Sequence, residues 1–300
     1  MAITGSGTQE DPYLVHNYTE LKNPYPYSGS GTRYVKLAND IDCNDYGPTF
    51  EWETIQWYQN YSGNTTHLNL DGHTIKNVPI KNGNALFNLM KYGNTSQYDQ
   101  IENGKILNVF GDNIPYLIAG QGGGCMLQSL SISANATTLN QTSCLIKGLN
   151  LRNIALYIIF LHTQSRGVIE TTGITMQDCD LHVEISDTNG STRILYANGG
   201  GTASGIRITG KINSGVKTAS DLIGNVVLSS SVIDIDASSF EGSTGTTSIL
   251  PPSPTSAINI DNIPTNMRPS AGNAILCTAS EIRNGDALRA KGFTVVNVSG

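Results

Sequence analysis

A short unit, apolar–any–apolar and flanked by Gly, Ser or Asn, recurs along most of this chain of 300 residues. It stands at Leu68/Leu70, Leu107/Val109, Leu130/Ile132, Leu149/Leu151, Leu181/Val183, Ile206/Ile208, Ile233/Ile235 and Ile258/Ile260. From Leu107 onward the steps are 23, 19, 32, 25, 27 and 25 residues. Each unit alternates with period two, which marks a strand with one buried face. A sharper match lies between "MQDCDLHVEI" (Met176–Ile185) and "LSSSVIDIDA" (Leu228–Ala237), which align without gaps at an offset of 52 residues. Short strands returning about every 25 residues are what a parallel β-helix solenoid requires. No helical apolar period fills the gaps, and a β-sandwich would set its strands closer, roughly every 8–12 residues.

Composition agrees. Charged residues make up only 14%, too few for the outer faces of surface helices, and the 32 glycines supply bends. The formal charge of −6, with no Lys/Arg cluster, argues against nucleic acid as a partner. The longest apolar run, "IALYIIFL" (Ile154–Leu161), is too short to cross a bilayer. Met1 leads into polar residues, without the basic-then-apolar order of a secretory signal. Five cysteines with no CxxC read as buried free thiols. No phosphate-binding loop, GxSxG or HExxH occurs, so no cofactor is expected. His67 and His73 flank Asp71-Gly72, which reads as a turn rather than a metal centre.

The chain divides into an N-terminal cap and first coil (1–60), a parallel β-helix (61–262) and a C-terminal capping or oligomerisation element (263–300). In the first part, "PYLVHNYTELK" supplies a short strand and a turn to close the open edge of the first coil. "RYVKLANDIDC" follows as the first full strand and "LNLDGHTIKNV" as the first regular rung. In the last part, "TASE" (Thr278–Glu281) is a capping box opening a short helix that stops at Gly292, and "FTVVNV" reads as a strand.

The succession "GSGTQEDPYLV", "YVKLANDID", "LDGHTIKNV" and "GKILNVFG" resembles the start of right-handed, pectate-lyase-like β-helix proteins, among them GLUG-type bacterial surface proteins and phage virion proteins. The likeness covers residues 3–111. It implies an all-β, right-handed parallel β-helix and, given the missing export signal, a phage particle protein made in the host cytoplasm. The partners so implied are other virion proteins and host-surface polysaccharide, with three-fold assembly of tail- or head-associated appendages and no membrane insertion.

Two groups of residues are candidates for a site. Taking each apolar pair as inward, outward residues stack into columns. The first runs Ser131, Asn150, His182, Arg207, Asp234, Asn259, and the second Ser133, Arg152, Glu184, Thr209, Asp236, Asp261. Glu184, Asp234 and Asp236 then form an acidic cluster of the kind glycan hydrolysis needs. The competing reading is a solvated ladder in which Arg207 offsets Asp234. The "NTD", "DD" and "GHG" motifs of polygalacturonases are absent, which favours the ladder. The other group is Trp52, Trp57, Tyr58 and Tyr61, whose aromatic faces suit a glycan or partner protein, or else cover the first coil. The expectation is a structural and adhesive virion protein, with a tailspike-like polysaccharide depolymerase or a bacterial surface adhesin as the alternatives.

Overall fold

The computed structural model describes residues 3–23, 31–57, 64–91, 97–112, 114–121, 124–136, 144–160, 167–171, 175–186, 193–212, 222–238 and 253–294. It is an all-β parallel solenoid of about seven turns, consistent with the right-handed β-helix expected. Three parallel ladders form its sides. The first links Tyr13–Val15, Gly31–Leu37 and Asn64–Asn69 to the leading halves of Gln100–Gly111, Cys125–Ala136 and Leu149–Phe160, then Thr175–Gln177. The second links Thr74–Pro79 to the trailing halves of those three long strands, then Asp180–Ile185, Arg207–Ile212, Val232–Asp236, Ala257–Asn259 and Ile275–Cys277. The third links Phe87–Met90, Ile118–Gln121, Cys144–Lys147, Gly167–Thr171 and the start of Leu195–Ser204.

The corner between the first and second ladders is set by backbone conformation. Asn103, Ser129, Asn153, Asp178 and Ser230 all have positive φ, between 49° and 59°, and Gly205 joins them at 63°. Most L residues avoid this region because Cβ crowds the backbone, whereas Asn, Asp and Gly enter it most readily. The corner residues also support each other, with Asn153 Nδ2 donating to Ser129 Oγ at 3.3 Å. Each coil therefore turns at a residue chosen for its backbone rather than its hydrophobicity.

Inside the coil, apolar residues stack in register. In the second ladder Ile106, Ile132, Leu156, Leu181, Ile208, Ile233 and Ile258 lie one above another, and all are buried. Leu181 and Ile233 are thus two coils apart, as the 52-residue alignment requires. The irregular steps of the apolar repeat have a simple cause. Leu149/Leu151 precedes the corner at Asn153 and pairs with Cys125 and Leu127 in the first ladder, so it belongs to a different face from Leu130/Ile132. Ile206/Ile208 is also shifted: Ile208, not Ile206, stands opposite Leu181.

Both ends are covered. Tyr13–Val15 pairs with Gly31–Leu37 as expected, and the turn after it is a one-turn helix, α1 (Tyr18–Lys22), with Asn17 accepting from Glu20 N at 3.0 Å. At the other end the capping box at Thr278 and Glu281 is present. The single C-terminal helix expected is instead two, α2 (Ala279–Ile282) and α3 (Gly285–Ala290), because Asn284 starts a fresh helix by accepting from Asp286 N and Ala287 N. α3 stops with Phe293 N donating to Leu288 O and Gly292 N to Arg289 O, a Schellman arrangement. Val232, Ala257, Cys277, Ile282, Leu288 and Phe293 form a small apolar cluster that seats the two helices on the last coils. Of the "FTVVNV" strand, all but Phe293 and Thr294 lies outside the described residues.

Candidate lateral binding face

The strand Leu149–Phe160 alternates in its second half, burying Ile154, Leu156 and Ile158 and sending Tyr157 outward, where it is 45% exposed. On the next coil Leu181 and Val183 are buried and His182 and Glu184 face out. Parallel register sets Tyr157 opposite His182, His182 opposite Thr209, and Thr209 opposite Asp234. The tyrosine and imidazole rings stack with centroids 4.6 Å apart and planes 2° from parallel. Both imidazole nitrogens are engaged, Nδ1 with Thr209 Oγ1 at 3.0 Å and Nε2 with Glu184 Oε1 at 3.2 Å. Around this group Ser131, Ser133, Asp180 and Arg207 line a shallow groove of about 360 Å³. Asp180 and Arg207 are opposite one another on adjacent strands, and both are exposed.

Register corrects the expected columns. Arg207 stands opposite Asp180 and Val232, so it does not offset Asp234. Asn150 and Arg152 belong to the first ladder, before the corner at Asn153, and leave the columns altogether. Asp234 instead accepts from Asn259 Nδ2 at 2.7 Å and Arg283 Nε at 2.9 Å. Asp236 accepts from Ser238 Oγ at 2.6 Å and Ser238 N at 3.1 Å. The side-chain bond from Ser238 does most to hold the Asp236 carboxyl below its ordinary range. Lys211 stands between Glu184 and Asp236 in the ladder. The three acids share a face, but each has its own partner.

The aromatic candidates move to the interior. Trp52 and Trp57 are 0% and 3% exposed, and their indole N–H groups donate to Leu86 O and Leu21 O, both at 3.0 Å. Neither has a face to offer a ligand; they fill the first coil beneath α1, with Trp52 against Tyr18 and Phe87. Tyr58 and Tyr61 lie outside the described residues. Asp71 and Gly72 form the turn read there, and the flanking histidines diverge: His73 meets Asp40 at 3.2 Å, while His67 lies between Tyr34 and Tyr98.

No family model matches the chain. No solved structure matches it. Over 135 residues, 45% of its length, it is 27% identical to halomucin of Haloquadratum walsbyi. That stretch is 1% of halomucin, so the chain spans a very small part of that relative.

Two further sets of reactive groups lie inside the coil. All five cysteines are buried, and burial pushes the thiols of Cys43, Cys125 and Cys144 up to about 12 and that of Cys179 to about 11. Thiols so poorly ionised are packing residues, not nucleophiles. Asp99 is also buried, and burial raises its carboxyl to about 7, although Thr66 N and Met90 N donate to it at 2.6 and 2.8 Å. It joins the first and third ladders across a corner. Sequence reading missed Tyr157, because a tyrosine within an apolar run shows its outward position only once the corner at Asn153 fixes the parity.

Proposed function

We propose that this chain is a structural and adhesive solenoid that binds carbohydrate on the outer face of its second ladder. The observation that carries this reading is the exposed Tyr157 ring, held flat by the parallel stack on His182. A fixed aromatic face suits the apolar face of a sugar ring. Ser131, Ser133, Asp180, Arg207 and Thr209 surround it with hydroxyl, carboxylate and guanidinium groups suited to sugar hydroxyls. Strands hold all of them, which limits the entropy lost on binding. The resemblance of the opening segment to phage β-helix proteins supports a virion setting, with host-surface polysaccharide as ligand and other virion proteins as neighbours. The partial similarity to halomucin supports a broader reading of the coil as a module that larger proteins also carry.

A depolymerase acting through Glu184, Asp234 and Asp236 has weaker support, since Asp234 and Asp236 are occupied by Arg283, Asn259 and Ser238. Three-fold assembly through the C-terminal element is weaker too, because α2 and α3 pack on their own coil. Light scattering on the full chain and on a chain ending at Asn262 tests the trimer, and a monomer in both excludes it. The carbohydrate reading is tested on a polysaccharide array. Selective capture by the full chain, lost in Tyr157→Ala, supports it; capture retained by Tyr157→Ala on every positive spot excludes this face.

A further inference from the structure

Two side chains of the groove, Thr209 and His182, are linked with Glu184 on the same strand face in a way that carbohydrate binding alone does not require. Thr209 Oγ1, the His182 imidazole and Glu184 Oε1 form a continuous hydrogen-bonded chain with links of 3.0 and 3.2 Å. A proton on Nε2 is donated to Glu184, which leaves Nδ1 free to accept the Thr209 hydroxyl proton. Among the described residues that hydroxyl has one other acceptor, Leu181 O, at a longer 3.5 Å. The Tyr157 stack fixes the imidazole plane. This is the nucleophile–base–orienter logic of acyl transfer, with both links within hydrogen-bond reach. Arg207, two residues before Thr209 on the same strand face, lines the same groove, and its guanidinium has no hydrogen-bond or ion-pair partner among the described residues.

We infer that the groove cleaves carboxylic esters, with Thr209 as nucleophile, His182 as general base and then acid, and Glu184 as the residue that orients His182. Thr209 Oγ1 attacks the ester carbonyl carbon as its proton passes to His182 Nδ1. The carbonyl oxygen takes the electron pair, and Arg207 is placed to stabilise that negative charge. Collapse breaks the bond to the alcohol, which leaves with the proton from His182, and the acyl group stays on Thr209. Water, deprotonated by His182, then releases the carboxylic acid and restores Thr209. The net reaction is ester plus water to acid plus alcohol, with no metal or redox partner needed. That the ester is an O-acyl group on a polysaccharide rests on the carbohydrate reading above; the ester chemistry does not.

The test uses 4-nitrophenyl acetate, a small ester that needs no sugar-binding surface, on the full chain and on Thr209→Val, His182→Gln and Glu184→Gln. Because these side chains lie on the outer face, the variants are checked for an unchanged β-sheet circular dichroism spectrum. Turnover is expected to fall by about 10²-fold or more in Thr209→Val and His182→Gln and by less in Glu184→Gln. Acid-quenched parent protein is expected to carry one acetyl group on the peptide holding Thr209. No turnover above that of the heat-denatured chain, or an undiminished rate in Thr209→Val, overturns the inference. Polysaccharide capture by the parent chain is measured alongside: if it persists while the parent shows no ester turnover, the carbohydrate reading stands and only the esterase is lost.

Discussion

Arg283, in the link between α2 and α3, sets its Nε 2.9 Å from Asp234 Oδ2 and so ties the C-terminal helices to the outer face of the second ladder. The Asp234 side chain is 9% exposed and the Arg283 side chain 64%, so solvent screens the pair from one side. A double-mutant cycle on Asp234→Asn and Arg283→Gln in urea is expected to give a coupling of about 0.5–1 kcal/mol. Asp234→Ala is expected to cost more, about 1–2 kcal/mol, because Asn259 Nδ2 also loses its acceptor.

The core makes a harsher demand. Val183 and Ile208 are 2% and 0% exposed, and an aspartate at either place puts an unpaired charge in a dry interior. Val183→Asp and Ile208→Asp are expected to cost several kcal/mol each, read as a large fall in Tm. Gly210 is the partner of Val183 in the ladder, has φ +124°, and a Cβ there would lie 2.0 Å from Val183 O. Gly210→Ala is therefore expected to cost about 2 kcal/mol or more despite adding only a methyl group.

The corner column responds differently. Asn153→Ala keeps the left-handed backbone but loses the residue type that tolerates it and the bond to Ser129. The expected cost is about 1–2 kcal/mol by urea denaturation. Asn153→Gly, which relieves the backbone conflict, is expected to cost clearly less.

These corners explain what could be read from the sequence and what could not. The apolar repeat was sufficient for the fold, because buried strands must alternate and coils must return at a near-constant interval. It was insufficient for the site, because Leu149/Leu151 and Leu130/Ile132 look alike yet lie on different ladders. Counting from the left-handed residues Asn103, Ser129, Asn153 and Asp178 would have placed Tyr157 beside His182. Ser and Asn are so common in this chain that the column is not apparent without the backbone. Trp52 and Trp57 stayed open between two readings for another reason: an aromatic cluster in sequence is equally suited to a glycan platform and to a cover for the first coil, and only burial separates the two.

Asp99 gives the solenoid a pH dependence. Its carboxyl rises from 3.8 to about 7 on folding, chiefly by burial, so the folded chain binds this proton more tightly than the unfolded one. The stability it contributes is full below about pH 4 and is lost as pH rises through about pH 7. The shift is worth about 4 kcal/mol at most. Urea midpoints measured across this range are expected to fall with rising pH in the parent and to flatten in Asp99→Asn. A parent midpoint that instead rises over the whole range contradicts this assignment.

The central claim is that a single aromatic face on the second ladder holds carbohydrate. Isothermal titration with the polysaccharide selected on the array tests it most directly, comparing the parent, Tyr157→Ala, and Val227→Ala as a control. Val227 is 67% exposed but projects from Ile223–Ser229, away from the groove. The account predicts that Tyr157→Ala raises Kd about tenfold or more, and that Val227→Ala leaves it unchanged. Equal Kd values for the parent and Tyr157→Ala would contradict it.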